Sequence, residues 1–265
     1  MTKRAITLAL AMALCAAAVS GAGAYAAEEE LLAAVQEKGT LTIAMEGTWA
    51  PWTYHDENDE LTGFDVEVGR YIAEYLCVEP EFIEGEWDGL FAGMDSGRYD
   101  LVINGVDVTD ERGEKYDFSD PYAYIRTALV VREDNEDIAS FEDLDGKVTS
   151  NSIGSTYMDL AEQYGATVEG VDSLGETMQM VESGRADATL NAEVSVLDYL
   201  NRQPDAPLKI VAYTDEANLV AIPMRKGDET TTLRRAVNEA IAAMRKDGTL
   251  AALSEKYFGA DITEK

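Results

Sequence analysis

Asp100-Leu101-Val102-Ile103-Asn104-Gly105-Val106-Asp107-Val108-Thr109-Asp110-Glu111-Arg112 is the stretch that decides the fold. Leu101 to Ile103 is apolar at every position, as a strand covered on both faces must be. Polar residues follow at once, so the strand opens into a loop able to carry chemistry. Upstream, the chain alternates in the same way. Glu28 to Lys38 reads as a helix stopped by Gly39, and Leu41 to Met45 as a strand. Asp65 reads as the cap of a helix whose inner face is Val68, Ile72, Tyr75 and Leu76. Glu81 to Ile83 is a strand, and Asp88 to Ser96 a helix closed by Gly97.

Downstream the alternation restarts. Strands are expected at Ala128 to Val131, Val148 to Ile153, Ala186 to Leu190, Leu208 to Val211 and Leu219 to Ile222. The second is weak because Thr149, Ser150, Asn151 and Ser152 are polar. Helices are expected from Ser155 to Gly165, after a Ser173/Glu176 capping box, over Glu193 to Asn201, and over Thr230 to Lys246 and Thr249 to Tyr257. Repeated βαβ units imply an α/β fold with mostly parallel sheets, and two such sets in 265 residues imply two lobes. Ligands of such sheets sit outside the carboxyl ends of the strands.

The beginning of the chain is read apart from the fold. Lys3 and Arg4 precede an uncharged apolar run from Ile6 to Val19, and Ala24-Tyr25-Ala26 offers small residues at the cleavage positions. Residues 1–26 are therefore expected to be a secretory signal peptide. Cys15 raises a lipoprotein option, which the Leu14 before it disfavours. Cleavage would leave Cys77 as the one cysteine, and its Tyr75-Leu76-Cys77-Val78 setting reads as a buried core thiol. The formal net charge is −30, with the acids spread along the chain. Such a field repels nucleic acid and anionic lipid surfaces, so no nucleic-acid partner is expected.

Three strand-end loops carry candidate ligand contacts. Glu46-Gly47-Thr48-Trp49-Ala50-Pro51-Trp52 holds two tryptophans in irregular chain, where an indole offers a flat surface to a ligand. Trp87 stands at an equivalent place before the next helix. The loop Asn104-Gly105-Val106-Asp107 permits close backbone approach at Gly105. Beyond it, Arg112 either grips a carboxylate by two parallel bonds or pairs with Asp110 or Glu114 on a solvated helix. Ile153-Gly154-Ser155-Thr156 opens a helix, so its N–H groups and hydroxyls form a modest carboxylate site or simply cap the helix. His55 is the only histidine, and no zinc cluster, catalytic triad, phosphate loop or Gly-x-Gly-x-x-Gly is present. No catalytic residue, cofactor or metal is expected.

In this order the motifs resemble a known family. Gly47-Thr48-Trp49-Ala50-Pro51-Trp52 with Leu61 to Glu67, Trp87-Asp88-Gly89-Leu90 with Ser96 to Asp100, Val108 to Arg112 through Tyr116 to Tyr122, and Lys246 to Leu250 through Glu255 to Gly259 are similar to the polar amino-acid substrate-binding proteins of ABC importers. These are the bacterial extracellular solute-binding proteins of family 3. The resemblance implies a type II periplasmic-binding-protein-like fold with two chain crossings, near Val131 and Val220. Lobe 1 would then span 27–131 and 220–265, and lobe 2 residues 132–219. It further implies a monomer exported across the cytoplasmic membrane, periplasmic or envelope-associated, that binds an amino acid without chemistry and delivers it to an ABC permease. By the same resemblance Trp49 and Trp87 sandwich the ligand. Arg112 holds its α-carboxylate, helped by backbone N–H groups near Asp107 and Ser155-Thr156.

One position departs from the family. Ala192 stands where an aspartate usually binds the ligand's ammonium, which makes Asn191, Glu193 and Asp107 candidate substitutes. Within the family the sequence leans toward cystine binders. The acids Glu46, Asp107 and Glu193 around one arginine suit a ligand with more than one ammonium, which keeps lysine, arginine and ornithine open. A related periplasmic dehydratase acting on prephenate or arogenate is the enzymatic alternative, with Glu193 as its candidate acid.

Overall fold

The computed structural model describes residues 30–265. The expected signal peptide and Cys15 lie outside the described residues.

Helix α1 (Leu31–Lys38) ends at Gly39, whose φ of 72° is the left-handed conformation that a glycine cap supplies. Strand β1 (Thr40–Met45) follows. It is the centre of a three-stranded parallel sheet, flanked by β5 (Glu79–Glu84) and β6 (Leu101–Val102). The connections are α2 (Phe64–Tyr75) and α3 (Trp87–Asp95). Between β1 and α2, the short strands β2 (Thr48–Trp49), β3 (Thr53–His55) and β4 (Leu61–Thr62) form an antiparallel ribbon that carries the tryptophan loop. These strands are too short for periodicity to show them.

Asp65 is not a cap. It is the second residue of α2, and the orphan N–H groups of Phe64 and Asp65 donate instead to the carbonyls of Pro51 (3.1 Å) and Trp52 (3.0 Å). The tryptophan loop caps the helix with its own main chain, which leaves the Asp65 side chain free for another use. Cys77 also departs from expectation. It is exposed, in a left-handed turn (φ 60°) just beyond α2.

After α4 (Asp110–Lys115) and β7 (Tyr116–Phe118), the chain leaves the first lobe through β8 (Ala123–Ile125). It enters a five-stranded sheet of order β11-β10-β12-β9-β13, made of β9 (Thr127–Arg132), β10 (Val148–Ser152), β11 (Thr167–Val171), β12 (Ala188–Ala192) and β13 (Leu208–Tyr213). β10 is parallel to β11 and β12, whereas β9 is antiparallel to both its neighbours. The reason is connectivity: β9 arrives from the other lobe rather than over a crossover helix. Val131 is therefore a central residue of this sheet, and the outgoing passage falls at Arg126, earlier than the Val131 expected. The return runs through β14 (Asn218–Val220), which pairs antiparallel with β8, and β15 (Pro223–Arg225), which pairs with β7. The two crossings thus lie side by side.

Helices α5 (Thr156–Gln163), α6 (Leu174–Glu182) and α7 (Glu193–Arg202) cover the second sheet. The Ser173/Glu176 capping box opens α6, a device worth about 1 kcal/mol. Helix α8 (Thr231–Asp247) buries Leu233, Val237, Ile241 and Met244 on one face and, with α9 (Thr249–Phe258), packs on α2 of the first lobe.

Candidate functional site: an interlobe cleft

The carboxyl ends of β1 and β6 face the amino ends of α5 and α6 across the cleft. They form a cleft lined by Glu46, Trp49, Trp87, Asn104, Gly105, Asp107, Arg112, Ser152, Ser155, Thr156, Tyr157, Leu174 and Asn191. Ten of the expected residues meet there. Trp52 and Glu193 do not. Trp52 is fully buried beneath Trp49, with ring centroids 5.4 Å apart and planes 13° from parallel, so it seats the wall rather than forming it. Glu193 is spent on Arg126 at the crossing, in a two-pronged pair of 2.9 and 2.8 Å.

Ser152, Tyr157 and Leu174 were missed. Tyr157 follows Ser155-Thr156 in the first turn of α5, and Leu174 follows the Ser173 cap. Both sit at helix starts, where the capping serine beside each already accounts for the local sequence.

Gly105 lies against the Trp49 ring. A Cβ there would stand 2.5 Å from Trp49 Cζ3, so only glycine lets the loop pass. Arg112 lies 5.3 Å from the Trp87 ring centroid and 5.5 Å from that of Phe91, a cation held over aromatic faces. Its Nη1 donates to the Asp107 carbonyl (3.1 Å) and Nη2 to the Gly154 carbonyl (3.4 Å). A guanidinium has five N–H donors, so others are available to a carboxylate in the cavity. Burial lowers the Arg112 pKa, and the neighbouring Asp107 opposes that shift.

Two acids share the cavity. Glu46 Oε2 accepts from Asn104 Nδ2 (2.6 Å), while Asn104 Oδ1 accepts from the Glu46 N–H (2.8 Å). Burial raises the Glu46 pKa to about 7, against the Asn104 bond that lowers it. Asp107 Oδ2 accepts from Thr156 Oγ1 (2.5 Å) and Asn218 Nδ2 (3.2 Å). Among the described residues nothing donates to the buried Asp107 Oδ1. Burial raises the Asp107 pKa, while Thr156 and Arg112 pull it down.

Four hydrogen bonds join the two walls: Thr156 to Asp107, Arg112 to Gly154, Trp49 Nε1 to Asn191 Oδ1 (3.2 Å) and Trp87 Nε1 to the Gly154 carbonyl (3.2 Å). The lobes are closed on one another.

Two lobes, paired crossings and a closed polar cleft define a hinged capture protein. The profile of the bacterial extracellular solute-binding proteins, family 3, matches residues 41–260, and the chain belongs to that family. It is 40% identical to the L-cystine-binding protein TcyA of Bacillus subtilis (strain 168), over all of both chains. Among solved structures, an ancestral arginine-binding protein bound to arginine is 38% identical with a TM-score of 0.78, covering 83% of this chain and 99% of that one. The L-cystine solute receptor of Neisseria gonorrhoeae in the unliganded open conformation is 41% identical, yet its TM-score is 0.59 over 89% of this chain and 99% of that one. Higher identity with poorer superposition is what rotation of one lobe produces.

Proposed function

We propose that this protein captures L-cystine outside the cytoplasmic membrane and presents it, lobes closed, to an ABC permease. The observation that carries the reading is the cavity's charge pattern: one arginine and two carboxylates between two tryptophans. A zwitterion needs one cationic and one anionic partner. A second acid suits a second ammonium, which cystine has. The full-length relationship to a cystine-binding protein supports the same ligand. An arginine-binding relative of similar shape supports a cationic amino acid as the second reading, because the same spare acid suits a guanidinium.

In this reading Arg112 takes the α-carboxylate, with the Ser155 and Thr156 end of α5 beside it. Trp49 and Trp87 cover the ligand's apolar stem. The ammonium goes to Asp107, whose unpaired Oδ1 gains a donor, in place of the aspartate absent at Ala192. Closure is driven by contacts that exist only when both lobes touch the ligand. Glu193, the candidate acid of a dehydratase, is committed to Arg126 and lies outside the cavity lining, which supports binding rather than catalysis.

A thermal-shift screen of the mature protein against cystine and every amino acid tests the reading, since a ligand of the native state alone raises Tm by mass action. Cystine, or failing it arginine, lysine or ornithine, is expected to give the largest shift. No shift with any of them would refute the proposal. Calorimetry separates the acids. Asp107→Asn is expected to weaken binding at least tenfold, whereas Glu193→Gln leaves it within about threefold. The reverse order would return the ammonium to Glu193.

A further inference from the structure

A buried carboxylate behind the cleft has no part in the ligand contacts described above. Asp65 has no exposed surface. Its Oδ2 accepts from the Gly105 N–H at 2.6 Å, and its Oδ1 from the Tyr122 hydroxyl at 2.8 Å. An ionisable group so placed costs stability unless its bonds matter. Capping does not explain it, because the first N–H groups of α2 are already satisfied by Pro51 and Trp52.

Its two partners lead to different places. Gly105 lines the cavity and lies against Trp49. Tyr122 immediately precedes β8, the outgoing crossing strand, and its N–H bonds the Val220 carbonyl of the return strand (2.9 Å). The same loop is tied to the return segment by its backbone: Val108 N–H donates to Leu219 (2.8 Å), and Ala221 N–H to Val106 (3.0 Å). The loop bearing Asn104, Gly105 and Asp107 is thus braced against both crossings, and Asp65 is the side-chain strut to the outgoing one. Gly105 needs such a strut. With φ of 54° and no side chain, its peptide is not held by local preference.

We propose that Asp65 is a positioning residue for ligand capture: it fixes the Gly105 peptide under Trp49 and, through Tyr122, couples the ligand loop to the hinge. The inference rests on the cavity being the amino-acid site.

The test compares Asp65→Ala, Asp65→Asn and Tyr122→Phe in the mature protein, using the amino acid that gives the largest thermal shift with wild type. Affinity is measured by calorimetry and dissociation by stopped-flow tryptophan fluorescence, at a temperature where circular dichroism shows each variant folded. Asparagine can keep both bonds, its oxygen accepting from Gly105 and its amide donating to the Tyr122 oxygen. Asp65→Asn is therefore expected to hold Kd within about threefold, while Asp65→Ala weakens it at least tenfold. Tyr122→Phe keeps the Gly105 bond and cuts only the hinge link. It is expected to speed dissociation threefold or more, with association unchanged. A merely structural role would lower Tm in all three without moving affinity below the melting range, and that result overturns the proposal. If Asp65→Ala does not fold, Tyr122→Phe decides: wild-type dissociation in that variant overturns the proposal. A wild-type protein that binds no amino acid would sink the cavity reading and this inference together, an outcome read before any variant is compared.

Discussion

Arg112→Ala is expected to weaken amino-acid binding by at least about thirtyfold, and Arg112→Lys by about tenfold or more. The alanine figure follows from the cost of truncating one partner of a buried, hydrogen-bonded charge pair, roughly 2–5 kcal/mol, where each 1.4 kcal/mol is tenfold in Kd. Two losses add. The ligand carboxylate loses its forked partner, and Asp107 loses the cation that offsets its burial. Lysine restores the charge but neither the planar fork nor the broad contact with Trp87 and Phe91. Calorimetry checks both values. Asp107→Asn in the Arg112→Ala background adds a control: if part of the alanine loss is stranded charge at Asp107, the double variant should lose less than the sum of the singles. A Kd for Arg112→Ala within threefold of wild type would remove Arg112 from the binding machinery, and the proposed function with it.

Much of this site was legible because strand ends of an α/β sheet are few and their loops short. Trp49, Trp87, Asn104, Gly105, Asp107, Arg112, Ser155 and Thr156 each follow a strand or open a helix, so topology brings them together. What was not legible depended on partners distant in sequence. Glu193 looked like a free acid beside Ala192 because nothing local reveals that Arg126, at the crossing, reaches it. Trp52 looked equivalent to Trp49 because the β2–β3 ribbon that turns one indole to the cavity and the other beneath it has strands too short to read. Asp65 fits the pattern of a helix cap, and only the approach of Pro51 and Trp52 to α2 shows that the cap is already filled. The position of the outgoing crossing is hidden in the sequence for a related reason: β9 is as apolar as a first-lobe strand would be, and only its pairing with β12 and β13 assigns it to the second sheet.

Glu46 is expected to make the site's affinity depend on pH, with a sign opposite to that of the protein's stability. Burial raises its pKa from 4.5 to about 7 in the ligand-free protein. A ligand cation placed against it favours the carboxylate, so binding requires the ionised form. Affinity for arginine, whose guanidinium stays charged throughout, is therefore expected to fall roughly tenfold from pH 8 to pH 6, as the ionised fraction of a group with a pKa near 7 falls. Glu46→Gln is expected to flatten the profile and hold affinity near the low-pH value. Stability runs the other way. A carboxyl whose folded pKa lies above its unfolded one contributes stability that is fully present below the unfolded value and lost as pH rises through the folded one. For Glu46 that loss reaches about 3 kcal/mol between pH 4.5 and about 7. Asp65, raised by burial from 3.8 to about 7, adds a loss of the same sign. The ligand-free Tm should thus decline from pH 5 to pH 8 while arginine affinity climbs. Because Asp65 titrates in the same window without lining the cavity, the Glu46→Gln variant is the control that assigns the affinity slope. An unchanged slope in that variant would move the titration off Glu46 and leave the second ammonium or guanidinium of the ligand without its proposed partner.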